Sequence, residues 1–78
     1  MNNTSDKEVM ELALQAGHIL LENGAEIFRV EETMERICKH YGVQSSNEFV
    51  LSNGIFVTAG NEKEKFYGAE YTLTNEAL

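Results

Sequence analysis

The sequence predicts one small α+β domain: a two-helix hairpin or corner packed on a small antiparallel sheet of two to three strands. Three observations predict it. Apolar residues recur at helical spacing through residues 5–41, β-branched and aromatic residues concentrate after residue 47, and glycines punctuate the joints. Seventy-eight residues leave room for a single soluble domain, 1–78, and no more. A chain this short buries only about 60% of the surface its unfolded form exposes.

Residues 1–4 read as a polar lead-in. Ser5 and Glu8 have the spacing of a capping box, in which each side chain satisfies an orphaned N–H of the other residue's backbone. Val9, Leu12, Ala13, Ala16, Ile19 and Leu20 then form an apolar stripe, with Glu11, Gln15, His18 and Glu22 on the polar face. The first helix is expected over 5–23, closed at Asn23-Gly24, where glycine takes the left-handed conformation freely. The second is expected over 25–41, with Ile27, Val30, Met34, Ile37, Cys38 and Tyr41 as its stripe. Lys39 and His40 suit the negative end of its dipole, and Gly42 stops it.

Strands follow at 48–52 and 55–59, joined by Asn53-Gly54, a pair able to adopt the positive φ of a two-residue hairpin turn. That turn pairs Leu51 with Phe56 and Val50 with Val57. A third strand is expected over 65–73, with Tyr67, Ala69, Tyr71 and Leu73 on one face. The hairpin is apolar on both sides: Phe49, Leu51 and Phe56 on one, Val50, Ile55 and Val57 on the other. Two helices cover one face of a sheet, which leaves the second for a partner, a second copy or a solvated β-branched surface. Val50, Ile55 and Val57 are taken as the residues of that interaction face.

Thirteen acidic and six basic residues give a net charge of −7, spread over both halves of the chain. With no basic patch, nucleic acid is excluded as a partner, and so is direct binding to anionic lipid. No run approaches the roughly 18 apolar residues of a membrane span, and the start lacks a signal peptide's basic and apolar regions. The expected compartment is the cytoplasm.

No self-sufficient active site is legible. His18 and Glu22, at i and i+4, have metal-binding spacing, but two ligands are too few and a solvated face explains them. Cys38 lies on an apolar stripe with no histidine placed to activate it, and His40 reads as a dipole partner. There is no phosphate loop and no nucleophile elbow, and the glycines show no cofactor spacing. No catalytic residue, metal or cofactor is assigned. Glu26, Arg29, Thr33 and Arg36 form a polar stripe beside the apolar one, either surface ion pairs (Glu26–Arg29, Arg29–Glu32) or an interaction surface.

Gly24, Ala25, Glu26, Arg29, Val30, Glu31 and Thr33, with Gly54-Ile55-Phe56 further on, resemble the motifs of the threonine/serine exporter family in its cytoplasmic N-terminal domain. Phe28 stands where that family often has tyrosine, and Leu51-Ser52-Asn53 replaces the Thr-Pro-Thr common before the later glycine. The resemblance spans residues 9–66. It implies a bacterial membrane transport protein that moves small amino acids, or related small acids, out of the cytoplasm through membrane helices this chain lacks. The chain is then a piece of such an exporter, tethered at the inner membrane face, or a stand-alone relative. Glu26, Arg29, Glu31 and Thr33 are expected to contact the transport domain or a subunit of the same exporter, in a regulatory or assembly role. The alternatives are a free-standing interaction module that forms homo-oligomers or docks through its apolar hairpin, and, less favoured, a small hydrolase using carboxylates near Glu22–Glu32.

Overall fold

A computed structural model describes residues 5–71. Two helices, α1 (Asp6–Glu22) and α2 (Ile27–His40), precede three strands, β1 (Ser45–Leu51), β2 (Gly54–Gly60) and β3 (Lys65–Tyr71). The strands form one antiparallel sheet in the order β1-β2-β3. Both helices lie on one face of it, α2 over β1 and α1 over β2 and β3, and they also pack on each other. This is the α+β architecture expected from the sequence. The lead-in 1–4 and positions 72 and 73 of the expected third strand, Leu73 included, lie outside the described residues.

The helix ends follow from local chemistry. Ser5 is the N-cap of α1: its hydroxyl accepts from the Glu8 N–H at 3.1 Å, and the Glu8 carboxylate accepts from the Ser5 N–H at 3.1 Å. Both C-termini close by the same device. After α1, the Gly24 N–H donates to the Leu21 carbonyl and the Ala25 N–H to the Leu20 carbonyl; after α2, Gly42 and Val43 donate to Lys39 and Cys38. This pattern requires a left-handed residue, and Gly24 and Gly42 have φ of 85° and 83°.

The core joins one face of each helix to one face of the sheet. Val9, Met10, Ala13 and Leu14 of α1, Val30, Met34 and Cys38 of α2, Val43, and Val50, Ile55, Val57 and Ala59 of the sheet are buried. No charged or polar residue is fully buried with them among the described residues. The α1 stripe is rotated from the expected one. Leu12 and Ile19 are 46% and 59% exposed, and Met10, Leu14 and Gly17 take their places inward. The reason is that α1 must face the sheet as well as α2. A Cβ added to Gly68 of β3 would stand 3.1 Å from both Met10 Cε and Leu14 Cδ2, so those side chains fill the space above that glycine.

The hairpin turn is also displaced. Leu51 pairs with Gly54, Val50 with Ile55 and Phe49 with Phe56, so the turn residues are Ser52 and Asn53. Neither Asn53 nor Gly54 has positive φ. Gly54 is inside the strand because Tyr71 of β3 lies against it: a Cβ there would sit 3.2 Å from the ring and 3.2 Å from the Glu70 carbonyl. The displacement moves each partner by two positions, so every side chain keeps its expected face. β1 also begins three residues earlier than expected, because Ser45, Ser46 and Asn47 pair with Gly60, Ala59 and Thr58.

At Gly17 the core leaves no room for a side chain. A Cβ there would come within 2.5 Å of Met34 Sδ, 2.9 Å of Met34 Cγ and 3.3 Å of Ile55 Cδ1. Alanine in a helix interior gains about 1 kcal/mol over glycine, whereas overpacking a closed core costs about 1–3 kcal/mol. Gly17→Ala should therefore lower the urea-unfolding free energy by up to about 2 kcal/mol. In a Met34→Ala background the same change should raise it, since the obstructing side chain is gone.

Candidate interaction surface

The α2 residues singled out in the sequence do not form one cluster. Glu26 is the N-cap of α2, and its side chain makes no capping bond; its carbonyl accepts from the N–H groups of Arg29 and Val30, both at 3.0 Å. The Arg29 guanidinium lies 5.7 Å from the centre of the exposed Phe28 ring, a cation–π contact. Among the described residues Arg29 has no ion pair. The ion pairs of α2 are instead Arg36–Glu32 at 3.3 Å and Lys39–Glu35 at 3.7 Å. Both run from an acid to a base four residues on, the favoured helical orientation, and their exposure limits each to a few tenths of a kcal/mol.

Thr33 is half-buried in a shallow groove between the helices, beside Leu12, Arg36, Ile37, His40 and Tyr41. At 3.6 residues per turn, Glu31 lies about 160° around the helix from Arg29, across the buried Val30–Met34–Cys38 stripe. Glu26, Arg29 and Thr33 can thus meet one partner, and Glu31 faces elsewhere.

The sheet residues need a larger correction. Val50, Ile55 and Val57, taken from the sequence as an interaction face, are 6%, 0% and 1% exposed beneath the helices. The covered face is mainly β-branched, with Ala59 beside Phe66, which is partly buried against the core. The open face carries Phe49 (58% exposed), Leu51 (53%), Phe56 (40%), Tyr67 (74%) and Tyr71 (62%). The pairings Phe49↔Phe56, Phe56↔Ala69 and Gly54↔Tyr71 make these residues contiguous, and the Phe56 and Tyr71 rings meet edge to face at 5.7 Å. Alternation placed Tyr67, Ala69 and Tyr71 together from the sequence; the sheet order adds them to the phenylalanine face.

The strand carboxylates lie on the covered side. Glu48 is half-buried, and its Oε2 has no hydrogen-bond partner among the described residues. Glu70 reaches back toward α1, where its Oε1 is 3.8 Å from His18 Nδ1. His18 Nε2 is 3.3 Å from Glu22 Oε2 but is not aligned for a hydrogen bond. The two carboxylates approach opposite ring nitrogens, so they do not converge on a common ion. No group of three metal-ligating side chains occurs among the described residues.

Cys38 is a core residue, 1% exposed. Burial pushes its thiol pKa up; a hydrogen bond with Ser46 opposes this, and the charges of Glu48, Asp6 and Glu35 add to the rise. A thiol held protonated is no nucleophile. His40 stacks edge-on against Tyr41, with ring centres 4.8 Å apart.

No helix among the described residues is long and apolar enough to cross a membrane. A protein-family model described as "putative threonine/serine exporter" matches residues 11–75. No curated protein and no solved structure matches the chain.

The raised thiol pKa fixes a sign. The folded state favours the protonated form, so this contribution is intact below the unfolded value of 9.0 and fades as pH rises through the higher folded value. Stability measured by denaturant should fall above about pH 9 more steeply in the native chain than in Cys38→Ala. A thiol reagent at pH 8 should label the folded chain at least about 100-fold more slowly than the urea-unfolded chain.

Proposed function

The chain belongs to the threonine/serine exporter family, and on that premise we propose that it is the cytoplasmic, extramembrane portion of an exporter of small amino acids or related small acids. It serves assembly or regulation and transports nothing by itself. One observation carries this reading: the family match covers a folded helix-on-sheet unit in which no described helix is suited to span a bilayer. The family is one of transporters, not enzymes.

The contact with the transport domain falls to the α2 edge. Glu26, Arg29 and Thr33 share a flank of the helix, and an arginine resting on an exposed phenylalanine is a pre-formed anchor, able to give its donors to a partner carboxylate or carbonyl. A net charge of −7 repels the anionic inner leaflet and attracts the Lys/Arg-rich cytoplasmic loops of membrane proteins. The second reading, an interaction module in its own right, is favoured by the open aromatic sheet face.

Arg29→Ala, introduced at the matching position of a full-length family member, should reduce amino-acid efflux or exporter assembly by about tenfold, the loss of roughly 1.4 kcal/mol at a contact. Glu26→Ala should act in the same direction. Purified domains carrying either change should keep the native melting temperature within about 2 °C, since both side chains are exposed. Unchanged efflux and assembly in both variants would falsify the docking role.

A further inference from the structure

The open sheet face is apolar, contiguous and almost free of charge in an acidic chain. Its five large side chains are 40–74% exposed, and at 150–250 Å² for a whole aromatic they present roughly 500 Å². That is near the upper end for the largest patch of a monomer. Of the strand carboxylates, Glu48 pairs with Val57 and Glu70 with Ile55, which puts both on the helix side. Lys65, at one end of β3, is the only charged strand residue on the open side among the described residues.

We propose that this face pairs two copies of the chain, sheet against sheet, in a symmetric dimer with helices on both outer surfaces. Area and charge select this occupant. Two such faces together remove roughly 1,000 Å² from water before Ala69 and the strand edges are added, about the threshold for a specific interface. Twisted sheets stack about 10 Å apart at close to −30°, which lets equal three-stranded sheets interdigitate Phe49, Phe56 and Tyr67. A copy of the same face presents no carboxylate to this one, so the acidic surfaces of the two subunits stay on the outside. Isologous pairing also leaves the Glu26–Arg29–Thr33 flank free, and the inference does not rest on the transporter reading.

Sedimentation equilibrium of the chain from about 1 µM to 500 µM tests this. The mass should rise toward twice 8.8 kDa, and more readily in 0.5 M salt than in 0.15 M, because salt screens the repulsion between two bodies of charge −7. Phe49→Glu and Phe56→Glu should each raise the dimer dissociation constant at least about 100-fold. Ile19→Glu, equally exposed but on the helix layer, should leave it unchanged. Tyr67→Glu, at 74% exposure, repeats the test where a phenylalanine change unfolds the chain. A monomer throughout this range overturns the proposal, whether other parts of an exporter or a different partner then cover the face. So does a dimer that Phe49→Glu and Tyr67→Glu leave intact.

Discussion

Everything else in this fold is arranged around the contact at Gly17, where α1, α2 and the central strand meet without a side chain on α1. Met34 and Ile55, both fully buried, occupy the space a Cβ would need. That approach lets one helix layer seal a three-stranded sheet. With a larger residue, α1 would stand off from α2, and the stripe Val30–Met34–Cys38 would lose its cover on one side. In a chain with so small an interior, that stripe is a large part of what opposes the entropy of the unfolded state.

The same economy explains the two sides of the sheet. The covered side is made mainly of β-branched residues and alanine, with Phe66 partly buried among them, while the other rings of the strands lie outside. Acidic side chains follow the opposite rule: Glu48 and Glu70 turn toward the helix layer, and Glu70 comes near His18. Placing a carboxylate on the buried side is costly unless it is hydrogen-bonded, and Glu48 Oε2 has no partner among the described residues. What is gained is an outer strand face without negative charge among the described residues. The helix layer, rich in glutamates and holding Arg29 on Phe28, offers a different chemistry, so one domain can meet two unlike partners at once.

Much of this was legible in the residues. The Ser5–Glu8 box and the terminators Gly24 and Gly42 are local signals whose partners lie within five residues, and each operates as the sequence implies. The face of each strand residue was legible too, because alternation survives a turn displaced by one residue. The turn itself was not: Asn53-Gly54 satisfies the rule for a hairpin, yet Gly54 answers to Tyr71, seventeen residues away. Nor could periodicity show that α1 turns Met10 and Leu14 toward Gly68, since the apolar residues of α1 span more than one face. The face expected to be open is the covered one for the same reason. Alternation separates Val50, Ile55 and Val57 from the rings, but only the packed helices decide which set is hidden. On α2 the favoured ion pairs were misjudged at i+3 spacing, where i+4 partners were available.

The order of elements along the chain has a consequence for biosynthesis. Each strand pairs with its neighbour in sequence, and the two helices pair with each other, so closing this fold costs little loop entropy and should be fast. Synthesis is slower. The helices leave the ribosome before any strand, and at 5–20 residues per second about one to four seconds pass between His40 and Gly60. During that interval Val30, Met34 and Cys38 have no sheet to lie on. Translation, not collapse, then sets the moment at which this domain becomes whole.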